Sequence, residues 1–391
     1  MRKFSAQYII TNAGPPLKRG IVTVAGDGTI EGVEDTGGSP EESEGIEFHN
    51  GLIVPGFVNC HCHLELSHMK DIIPPRTGLA QFLKLFKEAR IDEPAVIEAS
   101  AAGADASMYS DGIVLCGDIC NTAGTFDLKR RSRIKYISFL EVFGIEPSKA
   151  LRRMTEIRKL ADQAENAGLE WHIVPHAVYS ISLSLFGLLR EETLNNRVSS
   201  LHFMETRAEK MLLGDHSGPL MDSYRESELL TGKPETAASH TEAVMKYVTP
   251  SGNLILVHNT FAEREVVRQV NSRGKVFWCL CPKANMYIEG NMPPLGMLLE
   301  EGCTIVTGTD SFASNDTLSI LGEIKLLQDR FPSVPLENLI SFATINGARA
   351  LGEEELFGSI EEGKRPGLLL LKNVDLQTMR LLPETNITRL I

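Results

Sequence analysis

Residues 51 to 63 read Gly51-Leu-Ile-Val-Pro-Gly-Phe-Val-Asn-Cys-His-Cys-His63, an apolar run that ends in two histidines. Because side chains alternate along a strand, His61 and His63 are predicted to face the same side, with Cys60 and Cys62 on the other. Two imidazoles that converge on one point suit a divalent transition-metal ion. The stretch therefore predicts a buried strand that carries a pair of metal ligands.

This run is the first of eight short apolar segments, and helical stretches separate each one from the next. Eight strands alternating with helices predict the α/β class and a (β/α)8 TIM-type barrel, in which the chemistry lies at the carboxyl ends of the strands. The predicted strands cover residues 52–59, 112–119, 134–142, 171–177, 198–203, 253–257, 275–280 and 303–307.

Polar side chains fall repeatedly at the ends of these predicted strands. Three imidazole nitrogens and one carboxylate would form a site for one divalent ion per chain, zinc or iron, with a position left open for water. An open position is typical of a catalytic site. The predicted ligands are His61 and His63 from the first strand, His202 from the fifth and Asp310 from the eighth.

The two ends of the chain have a different pattern, with short β-like runs and frequent glycines. An Asp27-Gly28 turn predicts a hairpin, and Gly363 and Gly367 punctuate the last apolar run. We predict that residues 1–51 and 353–391 form one small β-sandwich domain, and that residues 52–352 form the catalytic barrel.

Composition narrows the class of partner. The 391 residues carry 39 Lys and Arg against 51 Asp and Glu, a net charge of −12, with no dense basic tract. This excludes the electrostatic footprint of a nucleic-acid or anionic-membrane binder and favours a small-molecule substrate. Without a signal peptide or an apolar run of about 20 residues, a cytoplasmic protein that does not enter the membrane is expected. A homodimer is left open.

Five later segments, together with the opening stretch, resemble the amidohydrolase superfamily, in particular its mononuclear deaminase and chlorohydrolase branch. The resemblance implies the barrel and the composite β domain. The fourth strand has no lysine of the kind that bridges two metals in binuclear members, so one metal is expected. The segments are His202-Phe-Met-Glu205-Thr, Val257-His258-Asn, Cys281-Pro-Lys-Ala-Asn285, Gly308-Thr-Asp310-Ser and the run from Ala343 to Gly352.

The resemblance also implies a mechanism. In that branch the metal activates a water that attacks an aromatic amidine carbon, here C6 of a purine, and ammonia leaves. Asp310 would accept the proton of the water, His258 would hold and polarise the water, and Glu205 would shuttle protons to the ring nitrogen and the leaving amine. Two alternatives stay open: Glu205 as a partner that orients a histidine, and His258 as a fifth metal ligand.

The expected substrate is an adenine-containing nucleoside. His176 and Ser180 lie in a segment that resembles the sugar-binding fourth strand of nucleoside deaminases, although a structural role for His176 stays open. The string around Glu65 and Ser67 is similar to that of aminodeoxyfutalosine deaminases, which makes both candidate pocket residues and aminodeoxyfutalosine the favoured substrate. Glu205 favours ammonia as the leaving group, because an amine must be protonated to leave whereas chloride need not.

Several other activities remain alternatives. Within the same branch these are deamination of S-adenosylhomocysteine, methylthioadenosine or guanine, and hydrolysis of a chlorotriazine. From other classes they are a binuclear cyclic-amide hydrolase and an inactive scaffold.

Overall fold

The computed structural model describes residues 1–39, 45–89, 93–230 and 232–391. The strands of these residues are β1 (Arg2–Ile9), β2 (Leu17–Lys18), β3 (Ile21–Val24), β4 (Ile30–Glu34), β5 (Ile46–Pro55), β6 (Phe57–Cys62), β7 (Ile113–Cys120), β8 (Lys135–Val142), β9 (Glu170–Pro175), β10 (Val198–Phe203), β11 (Asn253–His258), β12 (Val276–Leu280), β13 (Thr304–Thr307), β14 (Leu368–Asp375) and β15 (Arg380–Arg389).

The helices connect most of the central strands, and in the described ranges none of them is long and apolar enough to cross a membrane. They are α1 (Leu79–Ala89), α2 (Pro94–Ser110), α3 (Phe126–Arg131), α4 (Ala150–Asn166), α5 (Leu183–Thr193), α6 (Arg207–Asp215), α7 (Pro219–Glu226), α8 (His240–Glu242), α9 (Arg264–Asn271), α10 (Pro282–Ile288), α11 (Leu295–Glu300), α12 (Ile320–Arg330), α13 (Leu336–Phe342) and α14 (Ile345–Leu351).

The two ends of the chain meet in one sheet, whose order is β15-β14-β5-β1-β3-β4, with β2 paired to β1. Strands β1 and β5 run parallel, and β14 joins β5 antiparallel. The predicted hairpin is present, because β3 and β4 pair antiparallel around Gly28, whose φ of 88° suits glycine in a tight turn. Phe4, Val22, Ile53 and Leu370 belong to its apolar core. The predicted β domain built from both termini is confirmed.

Strands β6 to β13 form the barrel as two parallel four-stranded halves. Hydrogen bonds beyond the regular strands join the halves at two places. The amide of His202 donates to the carbonyl of His176 at 2.8 Å, and the amides of Thr309 and Asp310 both donate to the carbonyl of His61 at 3.0 Å. Each of the eight predicted strands has its counterpart, and the predicted barrel is confirmed.

The first predicted strand, residues 52–59, divides between the two parts of the fold. Leu52 to Pro55 pair with β14 in the terminal sheet, and the barrel strand begins only at Phe57. The chain changes partner at Gly56, where an added Cβ would lie 2.5 Å from the carbonyl oxygen of Pro366. The sequence pattern missed this change because the apolar run is continuous across it. The domain borders at residues 51 and 352 remain predictions.

A separate apolar cluster fills the barrel interior and includes residues of the barrel strands and of α14. Helix α14 packs against β6, β11 and β13 and closes the barrel at the amino ends of its strands. Cys60 belongs to this interior cluster with Phe139, Val257 and Leu351, so the prediction that Cys60 lies on the side of the strand opposite the histidines, away from the barrel interior, is wrong. The reason is a shift in the pairing of β6 with β7 between residues 59 and 62, which breaks simple alternation.

Gly56→Ala tests the tight passage between sheet and barrel. We expect it to lower the free energy of unfolding by about 1–3 kcal/mol, because the new methyl group meets both the buried side chain of Val114 and the backbone carbonyl of Pro366. The matched control is Gly103→Ala on α2, where nothing lies within 4 Å of the added Cβ, and where the change is expected to stabilise by about 0.5–1 kcal/mol. Urea unfolding measures both; equal stability of the two variants would contradict the prediction.

Candidate metal centre and active site

Three buried side chains converge where β6 ends beside the loop after β13. The Nε2 atoms of His61 and His63 lie 3.2 Å apart. Oδ1 of Asp310 lies 3.5 Å from the first and 3.4 Å from the second. Four ligand atoms around a tetrahedral zinc ion at its usual bond lengths are separated by about 3.3 Å. The three atoms already have the spacing of a metal site.

His202 completes the set of predicted ligands. Its ring centre lies 4.8 Å from that of His61. Its Nδ1 is 2.8 Å from the carbonyl oxygen of His176, so this nitrogen carries a hydrogen and Nε2 is left for a metal. One nitrogen each of His61, His202 and His258 lie within 4.8 Å of one another. The structure therefore brings all four predicted ligands to one place, with His258 beside them.

The protonation states suit a cation. Burial lowers the pKa of His61 and of His202, and it lowers that of His63 to about 3 with a further contribution from His61. Burial opposes ionisation of Asp310, but the hydrogen bond to His61 and the nearby His63 hold its pKa well below its usual range. Neutral imidazoles beside a carboxylate are the forms that bind a divalent ion. The donor set fits one such ion.

Glu205 and His258 face each other at the edge of this cluster. Oε1 of Glu205 lies 3.6 Å from Nε2 of His258, and the hydroxyl of Tyr179 donates to Oε2 at 3.2 Å. Nδ1 of His258 is 2.9 Å from Oδ1 of Asn285, which fixes the ring. Burial raises the pKa of Glu205 to about 7, against the opposite effect of His258. A carboxyl group with this pKa can both give and take a proton near neutral pH.

A cavity of about 640 Å³ opens onto these groups. One wall comes from α1, whose residues at positions i, i+3, i+4 and i+7 present Leu79, Phe82, Leu83 and Phe86. The sequence-predicted residues among those lining the cavity are His63, Glu65, His176, Ser180, His202, Glu205, His258 and Asp310.

The predicted substrate contacts differ in their environments. The hydroxyl of Ser180 lies 2.7 Å from Nδ1 of His176 at the cavity wall. Both oxygens of Glu65 accept hydrogen bonds from the loop after β7, from the amides of Asn121 and Thr122 and from the Thr122 hydroxyl. Ser67 donates to the carbonyl of Leu64 at 2.7 Å and is not among the residues that line the cavity. Glu65 and Ser67 thus have local partners, and their substrate contacts remain predictions.

Sequence reasoning missed three groups around the site. Glu141 ends β8 and lines the cavity, and burial raises its pKa to about 8. Tyr179 bonds Glu205, and the hydroxyl of Ser314 donates to Oδ2 of Asp310. Glu141 carried a usable signal, because it lies at the carboxyl end of a predicted strand. Nothing local marked Tyr179 or Ser314.

Glu209 has a structural role at the start of α6. One oxygen accepts the amides of Glu205 and Thr206 at the start of α6, where Thr206 and Glu209 form a capping box. The other lies 2.8 Å from Nε2 of His240. Glu209 therefore fixes the backbone that carries Glu205.

A buried ion pair holds the segment that follows β6, the first strand of the barrel. Asp118 pairs with Lys129, whose ammonium also lies 2.8 Å from Sγ of Cys120. The other oxygen of Asp118 accepts the amide of Leu64 at 2.7 Å, directly after His63. The pair thereby anchors the segment that holds a predicted ligand.

The sequence of this chain matches a known protein family. A model of the amidohydrolase family matches residues 52–389. The chain belongs to the amidohydrolase family. The resemblance in the sequence is thereby confirmed, and the match extends through the barrel into the last strands of the terminal sheet.

One sequence relative and two solved structures are similar to this chain. An adenosine deaminase of Helicobacter pylori is 26% identical over 340 residues, which cover 82% of this chain and 79% of that protein. The crystal structure of H. pylori aminofutalosine deaminase with methylthio-coformycin has a TM-score of 0.78 at 22% identity, covering 95% of this chain and 92% of that one. An atrazine chlorohydrolase of Arthrobacter aurescens with zinc has a TM-score of 0.71 at 18% identity, with 94% and 86% covered. These structural likenesses establish the fold.

Lys129→Met tests the buried pair. We expect a loss of about 3–5 kcal/mol in unfolding free energy, because Asp118 is left as an unpaired buried charge. The matched control is Lys246→Met, which removes an exposed ion pair with Glu242 and should leave the unfolding midpoint almost unchanged. Chemical denaturation measures the unfolding free energy of both variants. A Lys129→Met protein as stable as the control would show that the pair does not hold this segment.

Proposed function

We propose that the protein is a metal-dependent hydrolase that removes the 6-amino group of an adenine-containing nucleoside as ammonia. The observation that carries the proposal is the placement of Glu205. This carboxyl group, with a pKa of about 7, lies beside His258 in the same cavity as the cluster of His63 and Asp310. Deamination needs a proton donor for the ring and the leaving amine next to an activated water, and this arrangement supplies both.

One divalent ion, zinc in our proposal with iron as the second choice, would be held by His61, His63, His202 and Asp310. Such an ion lowers the pKa of a bound water to about 7, which supplies the nucleophile. The 3.2 to 3.5 Å spacing of the ligand atoms supports one ion. The fourth strand of the barrel, β9, contains no lysine that could bridge a second metal ion.

The side chains of this chain account for the proton transfers. Asp310 takes a proton from the attacking water, and Nε2 of His258 holds the water in line with C6. Glu205 protonates the neighbouring ring nitrogen. Glu205 then takes the proton of the new hydroxyl on C6 and gives it to the amino nitrogen. As the bond from C6 to this nitrogen breaks, its electron pair leaves with the nitrogen as ammonia, C6 becomes a carbonyl carbon, and Asp310 returns its proton to Glu205. Of the hydrogens of the water, one ends on the ring and one on ammonia. Each positioned group of this kind typically contributes about 10²–10⁴-fold in rate.

Among adenine nucleosides, aminodeoxyfutalosine remains the favoured substrate. The string around Glu65 and Ser67 supports it, and so does the likeness to the aminofutalosine deaminase fold. The apolar wall of α1 suits an extended apolar substituent of the substrate. The acidic net charge of −12 supports a small-molecule substrate rather than a polyanion.

An ammonia-release screen of the metal-loaded protein with adenosine, methylthioadenosine, S-adenosylhomocysteine, aminodeoxyfutalosine, guanine and a chlorotriazine tests the function. We expect ammonia from at least one adenine nucleoside and about one zinc or iron per chain by elemental analysis. Activity on guanine or chlorotriazine alone would overturn the substrate class. Two metals per chain would favour a cyclic-amide hydrolase, and none would favour an inactive scaffold.

Glu205→Gln tests the proposed proton shuttle. The amide keeps the shape of the side chain but cannot donate an acidic proton, so we expect unchanged metal content and a turnover lower by about 10²–10⁴-fold. The matched control is Glu263→Gln, which alters an exposed partner of Lys210 and should keep full activity. Deamination at the parent rate by Glu205→Gln would remove Glu205 from the mechanism.

A further inference from the structure

Glu141 presents an unused polar atom beside the cavity. Its side chain is only 3% exposed, yet the residue lines the cavity wall. Oε2 accepts a hydrogen bond from Nδ2 of Asn121 at 3.3 Å. Oε1 is buried and has no hydrogen-bond partner among the residues that the structure describes. A buried carboxyl oxygen without a partner costs free energy, so a group that supplies one would be bound favourably.

The nearest side chain does not satisfy this oxygen. Nδ1 of His202 lies 3.5 Å from Oε1 of Glu141, but its hydrogen is already given to the carbonyl of His176 at 2.8 Å. The same fact argues against a second metal at Glu141, His176 and His202, whose ligand atoms lie within 4.8 Å of one another. A nitrogen that carries a hydrogen cannot be a metal ligand.

The surroundings restrict what can fill the position. Glu65 is a second buried carboxyl group close enough to disfavour negative charge on Glu141. The imidazole of His176 faces the same corner, with its Nδ1 held by Ser180 at 2.7 Å. A hydroxyl group, which both donates and accepts, matches a carboxyl group in either protonation state.

We propose that Glu141 is a specificity-determining residue whose Oε1 binds a ribose hydroxyl of the substrate, 2′ or 3′. The inference rests on the proposed function for the identity of the ligand. It adds a residue that reads a sugar hydroxyl next to His176.

The test compares adenosine, 2′-deoxyadenosine and 3′-deoxyadenosine with the parent protein, Glu141→Ala and Glu141→Gln, and with Glu263→Gln as the surface control. In the parent and the control, loss of the bound hydroxyl should lower kcat/KM by about 10-fold or more, mainly through KM. In Glu141→Ala the same substrate change should cost less than about 3-fold. Glu141→Gln, which retains one acceptor, should fall between them.

The outcomes separate the two proposals. If the parent is active and Glu141→Ala discriminates between the nucleosides as strongly as the parent, the inference is overturned and the proposed function stands. If the parent releases ammonia from none of these three, and also from none of aminodeoxyfutalosine, methylthioadenosine and S-adenosylhomocysteine, the proposed function fails, and calorimetric titration with inosine, 2′-deoxyinosine and 3′-deoxyinosine tests the inference alone. Tighter binding of inosine that Glu141→Ala abolishes would support it. Equal binding of all three, or no binding, would overturn it. Circular dichroism and metal content of the variants report on folding.

Discussion

Two backbone carbonyl groups close the barrel and at the same time position the site. The carbonyl of His61 accepts the amides of Thr309 and Asp310, and that of His176 accepts both the amide and the ring Nδ1 of His202. The hydrogen bonds that join the two four-stranded halves therefore also fix which ring nitrogen faces the cavity. A disturbance of barrel closure would move the predicted metal ligands directly, because no flexible loop lies between them and the closing bonds.

Burial has opposite consequences for the two kinds of titratable group at the strand ends. It favours the neutral form of every group, so the pKa of His63 falls to about 3 while those of Glu205 and Glu141 rise to about 7 and 8. Asp310 escapes this trend because imidazoles surround it. The same buried site therefore holds neutral histidines and an ionised Asp310. It also holds two carboxyl groups, Glu205 and Glu141, whose pKa values lie near neutral pH.

The sequence predicted much of the site because the fold places strand ends together. His202 lies within β10, and His176 and Asp310 follow shortly after the ends of β9 and β13, so the barrel prediction sufficed to locate them. It missed Glu141, which has the same placement but no metal-ligand motif around it. Tyr179 was missed because it reaches Glu205 from a turn after β9, and such contacts depend on packing between segments distant in sequence.

The sequence by itself determined the eight strands, the family and the identity of the groups gathered at one end of the barrel, because hydrophobic periodicity and strand ends are local properties. The tertiary structure alone decided where the first strand changes sheets, at Gly56, and how two histidines reach the centre. His61 does so through a shift in the pairing of β6 with β7, and His258 through a backbone φ of 76° at the end of β11. Both departures from regular strand geometry are held by neighbouring strands, and no pattern within either segment encodes them.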